Sequence, residues 1–94
     1  MHPLIETHRS EILSIAEHHG LRDVRVFGSM ARGDATEASD VDLLVTAPEG
    51  TSGLALGGLL MDVSQLLDRK VDVVTERSIR PAMRERILRE AVPL

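Results

Sequence analysis

The chain has 94 residues, room for one domain spanning 1–94 with no linker-like stretch to divide it. Hydrophobic residues are 43% and charged ones 28%, which excludes a disordered or fibrous chain, and the lack of cysteine excludes disulfides, thiolate nucleophiles and cysteine-ligated zinc. A formal charge of -4, with Phe27 the only aromatic residue among Phe, Tyr and Trp, argues against a grip on phosphate backbones or stacked bases, so nucleic acid is not expected as a direct partner.

Pro3 suits the first turn of a helix, and Ile5, Ile12, Ile15 and Ala16 recur at roughly helical spacing before Gly20, predicting a first helix over Leu4 to His19. His8 and His19 fall near its apolar face and are read as packing or capping residues, since no acid or histidine cluster at ligand spacing accompanies them. The β-branched and aromatic run Val24 to Phe27 predicts a short strand that stops at Gly28-Ser29. One helical turn over Ser29 to Arg32 and a polar loop from Gly33 to Ser39 follow.

A second strand runs from Asp40 to Thr46 and ends at Pro48-Glu49-Gly50. Thr51 or Ser52 caps the next helix, whose Leu56, Leu59, Leu60, Val63, Leu66 and Leu67 keep a 3.6-residue period as far as Asp68 or Arg69. Gly57 and Gly58 are costly in its interior, so irregular first turns or close packing against another backbone are expected. Val71 to Thr75 is a third strand, and Pro81 opens a last helix with Met83, Ile87, Leu88 and Ala91 as its apolar stripe. The order α-β-β-α-β-α predicts an α/β (α+β) fold, a small mixed sheet with helices packed on it. No apolar run is long enough to span a membrane and Met1 to Arg9 does not read as a signal peptide, so a cytoplasmic protein without a membrane partner is expected.

The chemistry concentrates in Gly28-Ser29-Met30-Ala31-Arg32-Gly33 and Asp40-Val41-Asp42. Side chains alternate along a strand, so Asp40 and Asp42 share one face while Val41, Leu43 and Val45 share the other. Asp72 holds the same place in its own strand and joins them if the strands are neighbours. Unit charges 4 Å apart repel by about 1 kcal/mol in water and about 4 at an effective dielectric of 20, so a carboxylate cluster calls for a counter-cation. Mg²⁺ is held by carboxylates while leaving positions for phosphate oxygens, as two-metal nucleotidyl transfer requires. Asp40 and Asp42 would hold the metals, with Asp72 orienting or deprotonating an attacking hydroxyl.

Gly28 and Ser29, at a strand-to-helix turn, would let nucleotide phosphates approach the backbone, and Arg32 would add a charge-assisted contact or a surface salt bridge. A Gly-Ser turn alone is an ordinary strand terminator and an Asp-x-Asp alone an ordinary solvated strand end. Here they are joined by a ten-residue spacer, and a later strand carries a third aspartate.

That combination resembles the signature of the polymerase-beta-like nucleotidyltransferase superfamily, and above all its minimal nucleotidyltransferase (MNT) branch. Phe27-Gly28-Ser29, Ala31-Arg32-Gly33-Asp34, Ser39 to Val45, and Val71 to Thr75 carry the resemblance, which covers nearly the whole chain. It implies the nucleotidyltransferase fold and transfer of AMP from ATP with two Mg²⁺ ions, Mn²⁺ substituting. Asp40, Asp42 and Asp72 would be metal ligands and catalytic carboxylates, and Gly28, Ser29 and Arg32 the nucleotide-binding residues. Glu37 and Ala38 depart from a proline-containing spacer frequent in relatives, which bears on the loop and not on the metal site.

Free-standing MNT proteins are commonly antitoxins that adenylylate a tyrosine of a HEPN-domain ribonuclease toxin, so the resemblance implies a protein adenylyltransferase in a hetero-oligomer with such a toxin. The sequence leaves two alternatives: an antitoxin that neutralises by binding alone, and a non-templated transferase acting on RNA ends. The latter rests on Arg77 to Leu94, where five arginines face two glutamates. Arg77, Arg80 and Arg84 would line one face, and offer a docking patch, if the last helix reached back to Arg77.

Overall fold

The computed structural model describes residues 1–94. In chain order it has α1 (Pro3–Thr7), α2 (Arg9–His18), β1 (Arg22–Phe27), α3 (Ser29–Arg32), β2 (Val41–Thr46), α4 (Gly53–Leu67), β3 (Val71–Thr75), a 3-10 turn (Glu76–Ser78), α5 (Pro81–Glu90) and β4 (Val92–Pro93). The strands form one sheet in the order β3-β2-β1-β4. β1 and β2 are antiparallel, β4 adds antiparallel to β1, and β2 and β3, joined through α4, are parallel. The expected mixed sheet with packed helices is therefore present.

Alternation along β2 builds the molecule. Val41, Leu43 and Val45 are fully buried on the face covered by α1, α2 and α4, together with Ile5, Ile12, Val26, Leu59 and Val63. Burying each such side chain contributes on the order of 1.5–3 kcal/mol. Leu44 points the other way and meets Ile79 and Ile87 in a smaller cluster, so the second face carries only α5 and the segment leading into it. Asp42, two residues before Leu44, belongs to that thinly covered face.

Three features depart from the expected order. The first helix is broken at His8, which leaves helical geometry at φ -106°, ψ 13° while its Nδ1 lies 2.8 Å from the Leu4 carbonyl oxygen, a side-chain bond that competes with continuation of the helix. β4 is a strand that the sequence reading does not contain; its two residues give no periodicity to detect. The arginine stripe does not form, because Pro81 pins the start of α5 and a Thr75–Ser78 capping box folds Glu76–Ser78 into a separate turn. Arg77 therefore lies in that turn, Arg80 is the N-cap of α5, and Arg84 is turned back onto Glu76.

α4 is regular from Gly53, with the Ser52 hydroxyl accepting from the Leu54 amide. Its two adjacent glycines differ in kind. Gly57 faces open space, whereas a Cβ on Gly58 would lie 2.8 Å from Nδ1 of His19, whose Nε2 is 2.8 Å from Asp62. The close packing expected of this helix is thus against an imidazole rather than a backbone, and His19 acts as a packing residue that ties α2 to α4.

Candidate active site

A cleft of about 480 Å³ opens between the second face of the sheet and α5. Its floor is set by strand register. Asp42 of β2 pairs with Asp72 of parallel β3 on one side and with Phe27 of antiparallel β1 on the other. Asp42, Asp72, Gly28, Ser29 and Arg32 all line this cleft. A hollow of about 530 Å³ elsewhere, over Leu13, Arg25 and Leu94, has no comparable carboxylate pair, and its Arg25 and Glu76 are joined at 3.1 Å.

Gly28 is where β1 turns into α3. Its φ of 73° and ψ of -154° lie in a region essentially confined to glycine, and a Cβ there would collide with the Asp42 carboxylate. The missing side chain thus serves two ends: the backbone can turn sharply, and Asp42 can sit directly against it. The N-terminus is tied to the same turn by the His2 amide, 2.8 Å from the Met30 carbonyl oxygen.

Asp40 stands at the rim and not among the lining residues, with Oδ2 3.9 Å from Nζ of Lys70. It precedes the first residue of β2, where the Val41 amide donates to the Lys70 carbonyl at 2.9 Å. The loop before it is fastened by Arg69, which donates to the carbonyl oxygens of Thr36 at 2.8 Å and Ser39 at 3.2 Å. The three aspartates therefore do not converge as one cage; no three acidic or histidine side chains in the chain do so.

The electrostatics nevertheless favour an added cation. Burial raises the pKa of Asp42, and the neighbouring Asp72, Asp40 and Glu90 raise it further, against a lowering by Arg32. A half-buried carboxylate crowded by three others fits a hard divalent cation, whose remaining ligands come from substrate oxygens and water.

The opposite wall is one the sequence reading did not contain. Arg80, Met83, Arg86, Ile87 and Glu90 of the α5 segment line the cleft, and Glu90 is ion-paired with Arg32. Their spacing is that of one helix face, so the helical period around Ile87 could have placed Arg86 and Glu90 beside the apolar stripe. Arg32 also donates to Asp34 at 3.2 Å, and its hydrogen bonds to both carboxylates, Asp34 foremost, raise its pKa and keep it charged.

This fold, with paired carboxylates beneath a glycine turn, is that of a nucleotidyl-transferring domain. The nucleotidyltransferase domain family matches residues 6–94, and the chain belongs to that family. It is 42% identical over 84 residues to a protein of Methanocaldococcus jannaschii assigned as a protein adenylyltransferase, covering 89% of this chain and 90% of that one. It is 37% identical over 89 residues to the protein adenylyltransferase MntA of Thermococcus cleftensis, covering 95% and 87%. A solved structure described as a minimal nucleotidyltransferase superposes with a TM-score of 0.85 at 47% identity, over 96% of this chain and 92% of that one. A chain from the complex of a tri-AMPylated Shewanella oneidensis HEPN toxin with its MNT antitoxin shares the fold, with a TM-score of 0.70 at 20% identity over 94% and 69%. The protein is a nucleotidyltransferase of the minimal type.

Proposed function

We propose that the protein is an ATP- and Mg²⁺-dependent protein adenylyltransferase that transfers AMP to a tyrosine of a HEPN ribonuclease toxin and acts as its antitoxin. The observation that carries this reading is the in-register Asp42–Asp72 pair against Gly28 in an open cleft. The protein adenylyltransferases similar to this chain, and the toxin complex that shares its fold, support the acceptor and the partner.

Asp40 and Asp42, with Asp72 contributing from the adjacent strand, would hold two Mg²⁺ ions, and Mn²⁺ could replace them. Bound there, the ions would neutralise phosphate charge and polarise the α-phosphoryl group. The turn at Gly28-Ser29 receives the phosphates, and Arg32 contributes a permanent positive charge beside them. Asp72, exposed and without an ion-pair partner, would accept the phenolic proton as the tyrosine oxygen attacks the α-phosphorus and the bond to the pyrophosphate leaving group breaks. The cleft is open to solvent, and a folded acceptor would complete it.

The relatives that are protein adenylyltransferases favour a protein acceptor over an RNA end, while the arginine face expected as a docking patch is not formed, Arg84 being engaged with Glu76. Incubation with the product of its neighbouring gene, ATP and Mg²⁺ should add one or more AMP groups to a tyrosine of that protein, seen by intact mass, and abolish its ribonuclease activity. Equal neutralisation by an Asp40→Ala/Asp42→Ala variant, with no mass change, would establish occlusion instead and refute the enzymatic reading.

A further inference from the structure

Glu90 is placed unlike an ordinary surface acid. It is the last residue of α5, where a carboxylate faces the negative end of the helix dipole, and only 17% of its side chain is exposed. It lies close enough to add to the repulsion that raises the Asp42 pKa. Two arginines compensate: Arg32, hydrogen-bonded to Glu90 Oε1, and Arg86, with Nε 4.0 Å from Oε2. All three line the cleft that holds Gly28 and Ser29. A carboxylate bridging two arginines beside a glycine turn and an acidic pair occupies the kind of position a phosphate oxygen would take.

We infer that Glu90 is an internal stand-in for a nucleotide phosphate, holding Arg32 and Arg86 in the nucleotide-free protein and giving them up to the incoming triphosphate. This deepens the proposed function and rests on its placement of nucleotide phosphates at Gly28-Ser29. Glu90 does not touch the reacting atoms in this scheme; it is a positioning residue that sets the affinity for nucleotide. The exchange conserves charge pairing, since each arginine loses a carboxylate and gains a phosphate. Its cost is the release of Glu90 into a site already crowded by Asp42, which α5 relieves by moving its C-terminal turn outward. β4 follows Ala91 directly and pairs with β1, so that movement is short and is resisted at Val92. Before nucleotide arrives the stand-in keeps the cleft electrostatically satisfied, and it lowers affinity for any single phosphate too weakly charged to displace it.

The test is Mg·ATP binding to wild type, Glu90→Gln, Arg32→Gln and the Arg32→Gln/Glu90→Gln pair, by calorimetry at low and high salt. Glu90→Gln should bind about three- to tenfold tighter at low salt, the range expected for removing one partly exposed competing charge, with most of the gain lost at high salt. In steady state it should lower KM for ATP while leaving kcat nearly unchanged, a split that general loosening of α5 would not produce. The gain should shrink in the Arg32→Gln background, where only Arg86 is left for Glu90 to release, and an undiminished gain there overturns the inference. Unchanged or weaker binding by Glu90→Gln overturns the inference, weaker binding marking Glu90 as a contributor to the metal site. If Glu90→Gln fails to fold, Glu90→Asp, which keeps the charge but shortens its reach to Arg32, takes its place and should also tighten binding. A wild type that binds no nucleotide with or without Mg²⁺ refutes the proposed function itself, and this inference with it.

Discussion

Replacing Gly28 by alanine should damage the protein in two separable ways. At φ 73° and ψ -154° a side chain is strained whatever its surroundings, a penalty of about 1–3 kcal/mol. In a domain of this size each kcal/mol lowers Tm by about 4–8 °C, so a middle value of about 2 kcal/mol predicts a fall of about 8–16 °C. The second effect is local. The new Cβ cannot coexist with the Asp42 carboxylate where it now lies, so Asp42 must leave its present position beside Asp72 and the glycine turn. A displacement of about 1 Å at a reacting centre costs on the order of 10²-fold in rate. Gly20→Ala separates the two, because Gly20 has a φ of 74° and a Cβ added there would meet nothing within 4 Å. It should lose stability and keep its turnover per folded molecule. Thermal melts and AMP-transfer assays on both variants decide the matter. A Gly28→Ala protein with wild-type turnover per folded molecule would refute the claim that this glycine exists to seat Asp42.

Three further expectations follow from the same geometry. Asp42→Asn should leave Tm unchanged or higher at neutral pH while lowering activity by several orders of magnitude, because ionised Asp42 is disfavoured in the fold but needed for chemistry. Since its folded pKa is raised, wild type gains stability as pH falls through that value towards the ordinary value of 3.8, so the variant's advantage in chemical denaturation should shrink to nothing at acid pH; a constant gap would sink the argument. ATP should bind much more tightly with Mg²⁺ or Mn²⁺ than with EDTA in calorimetry, and equal affinity would remove the two-metal reading. Gly57→Ala should stabilise α4 by about 0.5–1 kcal/mol, whereas Gly58→Ala should destabilise it through the His19 ring; melts that move together would disprove the difference.

The sequence announced the floor of the site more clearly than its walls. Val41, Leu43 and Val45 alternate with Asp42, so the face of each aspartate followed from the apolar pattern, and the parallel pairing of β2 with β3 put Asp72 beside Asp42 as anticipated. The division of the first helix was hidden because His8 leaves the helical path through a local side-chain bond, which apolar periodicity does not register. β4 was illegible for a different reason: it owes its existence to pairing with β1, and its two residues include a proline. Glu90 was overlooked because an acid in an arginine-rich helix reads as solvated surface. Its significance comes from Arg32, 58 positions away in the chain. The expected arginine stripe fails at Pro81, which fixes the first turn of α5 and so leaves Arg77 and Arg80 outside the helix face that carries Arg84.

The parallel register of β2 and β3 makes the carboxylate pair hostage to the core on the opposite face. The backbone ladder holds Asp42 and Asp72 side by side, and the fit of Val41, Leu43 and Val71 beneath them selects that register over its neighbours. Slippage of either strand by one residue would turn its aspartate to the other side of the sheet while leaving most backbone pairs re-formed. Chemistry is then the first property to go when that core is disturbed. Cavity-forming substitutions under the sheet should yield proteins that are still folded and already inactive, and a search for site residues by loss of activity alone would return buried valines along with the aspartates.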